Sequence, residues 1–160
     1  MLLEGNKLVG HLAKANEQAR ELEAGCEAVA IFEGPHAYIS PSLYSTPETS
    51  VPTWNYIVVH VQGRVSVIKE AAAVAGMLAR LTSVYEQGKQ EPWTFDMDSD
   101  HIGKMLGGIV AFEMEIGSIA GKFKLSQNRP IGDRGRVMWS LKDSALQNDQ
   151  ELGRWMERLL

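Results

Sequence analysis

Lys122, Lys124 and Arg129 place three cations within eight residues, interleaved with Ser126, Gln127 and Asn128 and closed by Pro130. Proline suits the first turn of a helix, where its missing N–H costs nothing. A helix N-terminus presents unpaired N–H groups and the positive end of its dipole, so cations feeding into one suit an anion such as a phosphate. On spacing alone, a solvated basic turn is the simpler reading. Earlier in the chain, Thr53-Trp54-Asn55-Tyr56, introduced by Val51-Pro52, offers two aromatic faces, a hydroxyl and an amide. A flat heteroaromatic ring is bound by that combination, through ring contacts and amide hydrogen bonds. The same aromatics equally suit core positions at the start of a strand. Alternation puts Trp54 and Tyr56 on one strand face and Thr53 and Asn55 on the other, so only one pair faces a given ligand. A third polar, aromatic segment runs from Gly34 to Tyr44 and carries Tyr38, Ser40, Pro41 and Ser42. All three segments border apolar runs, where a rigid scaffold presents its functional groups.

Other chemistries lack their residues. His11, His36, His60 and His101 form no H-x-x-x-H or H-E-x-x-H spacing, and Cys26 is the only cysteine, so no zinc site is expected. There is no G-x-S-x-G elbow, no P-loop and no G-x-G-x-x-G after a strand. Glu113 and Glu115 share a strand face, which reads as solvated rather than as a carboxylate pair. Sixteen basic residues against twenty acidic ones give a formal charge of −4 and no long basic run, which makes direct nucleic-acid binding doubtful.

These segments need a scaffold, and 160 residues suit one domain with a real core. No apolar run is long enough to span a bilayer, and the N-terminus lacks the pattern of a signal peptide. With a lone cysteine, the expected location is the cytoplasm. Residues 8–12 read as a strand, and Asn16 as the N-cap of a helix from Glu17 to Ala24 stopped by Gly25. Glu27 to Phe32 reads as a strand ending at Gly34-Pro35, and the prolines of residues 41–53 indicate a loop. A long strand is expected from Tyr56 to Ile68, with a bulge or bend at Gly63. Val74, Met77, Leu78, Leu81, Val84 and Tyr85 then follow helical spacing between Glu70 and Gln87, ended by Gly88. A short helix over 100–106, capped by Asp98 or Ser99, precedes a strand after Gly108. There Val110, Phe112, Met114 and Ile116 face the core and Ala111, Glu113 and Glu115 face away. Two helices follow Pro130, the last with Leu152, Trp155, Met156 and Leu159 on one stripe. Strands without regular βαβ alternation point to a barrel-like α+β domain.

Gly34-Pro35-His36-Ala37-Tyr38-Ile39-Ser40-Pro41, Val51 to Tyr56, and Lys124-Leu125-Ser126-Gln127-Asn128-Arg129-Pro130 together resemble the signature of the PaiB-type family. These are FMN-binding split-barrel proteins described as negative transcriptional regulators. The resemblance runs from about Leu8 to Pro130 and more loosely onward. It implies an α+β fold, an FMN-binding split β-barrel with peripheral helices over residues 1–130, and a helical extension over residues 131–160 packed on the same domain. His11-Leu12-Ala13-Lys14-Ala15-Asn16 resembles the strand-to-helix junction that carries phosphate contacts in split-barrel flavoproteins.

The cofactor residues so implied are His11, Lys14, Asn16, Tyr38, Ser40, Pro52, Thr53, Trp54, Asn55, Lys124, Ser126, Gln127, Asn128 and Arg129. Lys14, Lys124 and Arg129 would address the FMN phosphate, and Thr53 to Asn55 with Ser126 to Asn128 the ring and ribityl chain. The pattern expects a tryptophan before Tyr44, where this chain has Leu43. It also expects further N-terminal residues, so that this chain starts at the third strand of the barrel and leaves an open sheet edge. A homodimer is implied, with regulation through flavin or a partner rather than DNA contact. A flavin-dependent oxidoreductase and a cofactor-free interaction module are the alternatives, and no catalytic residue stands out.

Overall fold

The computed structural model describes residues 1–94 and 100–160. Five strands form one sheet in the order β1-β2-β5-β4-β3. They are β1 (Leu2–Glu4), β2 (Lys7–Ala13), β3 (Glu27–Ile39), β4 (Thr53–Ile68) and β5 (Ile109–Lys124). The helices are α1 (Gln18–Ala24), α2 (Ala71–Glu86), α3 (Asp100–Leu106), α4 (Ile131–Lys142) and α5 (Gln147–Glu157). None of the described helices is long and apolar enough to cross a membrane. By compactness the chain divides into a first unit, residues 1–29 and 61–118, and a second, residues 30–60 and 119–160. The dividing points fall inside β3, β4 and β5.

In the first unit, β1 and β2 form a hairpin around Gly5-Asn6, with Glu4 opposite Lys7 and Gly5 at φ 60°. A Gly-Asn pair with positive φ is a hairpin turn signal, and the sequence reading passed over it. β2 pairs antiparallel with β5, Leu8 opposite Met114 and His11 opposite Ala111. α1 starts at Gln18, one residue later than expected, with Glu17 rather than Asn16 at the N-cap position; Asn16 Oδ1 accepts the Gln18 N–H at 3.0 Å from the turn before it. Gly25, at φ 75°, ends that helix. Glu70 is the N-cap of α2, its carboxylate accepting the N–H groups of Ala72 and Ala73. Met77 and Leu78 pack with Val9 and Ala111 into this unit's core, whereas Val84 and Tyr85 stay exposed. Ala111 is therefore core, so β5 is buried on both faces from Val110 to Phe112 and not on one alone. The expected caps of α3, Asp98 and Ser99, lie outside the described residues. Gly63 sits inside an unbroken β4, where an added Cβ would stand 2.0 Å from the Glu115 carbonyl oxygen. The glycine marks close backbone approach.

The second unit corrects two strand boundaries. β3 does not stop at Gly34-Pro35 but continues to Ile39. It is an edge strand, where a missing proline N–H breaks no ladder. Gly34 meanwhile makes room for Ile57, whose Cβ would lie 3.1 Å from an added methyl. β4 begins at Thr53 and not Tyr56, so the polar quartet is itself strand. Ala37, Ile39, Tyr44, Ile57 and Leu125 form a core with Val137, Met138 and Leu141 of α4 and Leu152 and Met156 of α5. Leu43, in the tryptophan position of the family pattern, packs against that core.

Candidate functional site

Alternation along β4 sorts the central quartet as the sequence suggests. Trp54 is 53% exposed and Tyr56 half-buried on one face, while Asn55 is 0% exposed on the other. β3 behaves likewise: Ala37 and Ile39 are core, and His36 and Tyr38 face out, Tyr38 at 53%. The exposed rings meet. The Tyr38 and His36 centroids each lie 6.1 Å from that of Trp54, Tyr38 edge-on and His36 tilted. His36 was not singled out from sequence, although its i−2 relation to Tyr38 on a strand puts both on one face.

Lys124 closes this face. Its Nζ donates to Thr53 Oγ1 and, at 2.7 Å, to the Trp54 carbonyl, and it stands 5.9 Å from the Tyr56 ring centroid. An ammonium has three N–H donors, so one remains for an anion. Arg129 stacks its guanidinium 4.1 Å above the Tyr44 ring, and Asn128 is exposed. Pro52 is exposed just before β4. Aromatic faces beside a cation that keeps a donor are the chemistry a flat, anionic cofactor requires.

The remaining polar residues of the second unit build the frame. Asn55 Nδ2 donates to Ser126 Oγ at 2.9 Å and reaches Met156 Sδ at 3.7 Å, and Ser126 Oγ returns a bond to Asn55 Oδ1 at 3.3 Å. Ser126 is buried and holds φ 62°, a left-handed conformation that only a few per cent of non-glycine residues adopt. Gln127 bonds the turn from both ends, accepting the Leu125 N–H at 2.7 Å and donating to the Phe123 carbonyl at 2.6 Å. Ser40 accepts the Ser42 N–H and caps the short turn Pro41–Leu43. Asp133 is buried at the start of α4. Burial works to raise its pKa, but the Ser45 N–H and hydroxyl and the Arg136 guanidinium overcome this and hold it below the ordinary carboxylate value.

His11, Lys14 and Asn16 belong to the first unit. Asn16 Oδ1 accepts the Gln18 N–H, and Lys14 borders a cavity of about 540 Å³ together with Lys69 and Glu23, over Val67, Val74 and Ile109. His11 faces α2 and borders a second cavity with Leu78 and Leu81; desolvation by these apolar surroundings pushes its imidazole pKa down. No group of three or more His, Cys, Asp or Glu side chains able to hold a metal occurs among the described residues.

The fold is the split barrel found in flavin-binding proteins. Residues 1–118 match the family described as "Putative FMN-binding domain", and the chain belongs to that family, whose cofactor class is flavin. It is 36% identical over 151 residues to the Bacillus subtilis "Protease synthase and sporulation protein PAI 2", covering 94% of this chain and 72% of that protein. An uncharacterised protein of Emericella nidulans is 28% identical, covering 85% of this chain and 66% of its own length. Among solved structures, a FAD and heme binding protein from Mycobacterium smegmatis superposes with a TM-score of 0.59 at 19% identity, over 82% of this chain and 60% of that one. The flavocytochrome Anf3 from Azotobacter vinelandii gives 0.54 at 17% identity, over 83% and 57%. The chain thus spans less than two thirds of these two flavoproteins.

Proposed function

We propose that the protein binds FMN on the outer face of the second unit and acts as a flavin-responsive negative regulator of gene expression. The observation that carries the binding is the joint placement of Trp54, Tyr38 and Lys124 on one face. Trp54 and Tyr38 offer the ring its aromatic contacts. Lys124 and Arg129 supply cationic donors for the phosphate, Thr53 anchors the Lys124 ammonium, and Asn128 is a further polar contact. Asn55, Ser126, Gln127 and Ser40 position these residues from behind. When bound, FMN supplies reversible electron transfer. Likeness to PAI 2 supports the regulatory role, and the net charge of −4 favours a partner over DNA as its target. The fold similarity to two flavoproteins supports a second reading, a flavin-dependent oxidoreductase. From Ile119 to Phe123, β5 is exposed at every position, with Ile119 62% exposed. An apolar strand in solvent recruits cover, and a second copy of the chain would supply it as a homodimer.

FMN titration followed by quenching of flavin fluorescence tests the site. Saturable 1:1 binding is expected, weakened roughly tenfold or more in Lys124→Met by loss of a charge-assisted hydrogen bond. Trp54→Ala is expected to lose roughly threefold to tenfold. Failure to bind at saturating FMN, or wild-type affinity in both variants, overturns the assignment. Bleaching of bound flavin by NADH or NADPH with turnover would favour the oxidoreductase over the regulator.

A further inference from the structure

A cavity of about 420 Å³ lies in the first unit beside His11. Its walls come from three directions. Leu78, Leu81 and Thr82 face it from α2, Met105 from α3, and His11 and Ile109 from the sheet. Trp93 completes the rim; its backbone N–H donates to the Glu86 carboxylate at 3.0 Å, which also accepts the Lys89 ammonium at 2.6 Å. These two bonds hold the Glu86 pKa below its ordinary value, the Lys89 contribution being the larger. The site shares no residue with the flavin face of the second unit.

The chemistry of the walls selects the ligand. The cavity falls within the roughly 300–1,000 Å³ range of small-molecule sites. Among the described residues its lining is apolar except for one imidazole, one hydroxyl and the Trp93 indole N–H, and the first two can each donate or accept a hydrogen bond. Such walls penalise a charged ligand, which would leave its hydration shell without a counter-charge. Met105 is 59% exposed, and a thioether at the rim favours aromatic partners. We propose that this cavity binds a small uncharged aromatic molecule of one or two rings carrying a single hydrogen-bonding group, which His11 or Thr82 engages.

The full chain is titrated with the uncharged dye N-phenyl-1-naphthylamine, and the bound dye is then displaced with indole and, separately, with benzoate. Saturable 1:1 fluorescence enhancement is expected, reversed by indole and at least about tenfold less readily by benzoate, whose charge the walls exclude. Met105→Arg, at an exposed position that leaves folding intact by circular dichroism, should weaken the dye by about tenfold or more. Leu81→Arg tests the inner wall in the same way, and indole should shift the His11 ring-proton resonances. No saturable enhancement, equal affinity in Met105→Arg and the parent, or stoichiometric displacement of the dye by FMN would each overturn the proposal. FMN affinity in Met105→Arg should match that of the parent, so failure here is distinguishable from failure of the flavin site.

Discussion

Asn55 separates a frame role from a ligand role, and its removal has a calculable cost. The side chain is 0% exposed and exchanges two hydrogen bonds with Ser126, itself buried and held at φ 62°. In Asn55→Ala the Ser126 hydroxyl loses its partner inside the core, a penalty of about 1–3 kcal/mol. The space left by the amide lies against Met156 and adds roughly 1 kcal/mol of lost packing. The sum, about 2–4 kcal/mol, corresponds to a fall in Tm of roughly 4–16 °C for a chain of this size. Ser126→Ala should cost somewhat less, because it strands the amide without opening as large a space. Removing both polar partners in Asn55→Ala/Ser126→Ala relieves the stranded groups, so the double variant should be less destabilised than the sum of the singles. Urea unfolding of the four proteins, with FMN affinity measured on each while folded, completes the cycle. Unchanged stability in Asn55→Ala together with lost FMN affinity would refute the frame role and make the amide a ligand.

The close approach at Gly63 predicts that Gly63→Ala must separate β4 from β5 where the Cβ would stand 2.0 Å from Glu115 O, at a cost of about 3 kcal/mol or more. Gly121→Ala, whose Cβ meets only Phe123 and Val59 at 3.5–4.0 Å, should change Tm by less than about 2 °C; equal melting of the two variants contradicts the argument. Tyr44 Oη is the one buried side-chain polar atom without a hydrogen-bond partner among the described residues. Tyr44→Phe should therefore leave thermal stability unchanged or raise it by up to about 1 kcal/mol, and a clear loss would show a bonded hydroxyl. Asp133, with its pKa depressed, contributes stability that is present above the ordinary value of 3.8 and is lost as pH falls through its lower folded value. Tm of the wild type should thus drop more steeply on acidification than that of Asp133→Asn, and parallel curves would exclude the linkage.

Local signals carried the helices and the interior of the strands. Gly25 and Gly88, at φ 75° and 85°, close α1 and α2 where the sequence indicates. The Val74, Met77, Leu78 spacing does mark the buried stripe of α2, but that stripe does not extend to Val84 and Tyr85. What failed was information about neighbours. Gly34-Pro35 signals a turn by residue type, yet on an edge strand proline breaks no ladder and the glycine admits Ile57. Whether a strand is at an edge depends on the sheet order, which no local window contains. The same holds for Ala111, assigned to a wet face by alternation but covered by α2, and for Gly63, whose constraint is a carbonyl oxygen on another strand.

The residue types of the family signature carried a similar ambiguity, on which their hydrogen bonds bear. Asn55, Ser126 and Gln127 are amide and hydroxyl side chains of the kind that contact a ribityl chain or a flavin ring, so sequence grouped them with Trp54 and Lys124. Their hydrogen bonds are instead spent within the protein, on one another and on the turn that Ser126 makes at positive φ. That turn follows directly on Lys124, and Lys124 reaches back to Thr53 and the Trp54 carbonyl. The buried amide–hydroxyl pair therefore acts on the cation through two residues of backbone: it fixes where the turn begins, and so where the ammonium stands relative to the exposed rings. Preorganisation of this kind lowers the ordering cost of binding, because the lysine does not have to be recruited from solvent when the ligand arrives.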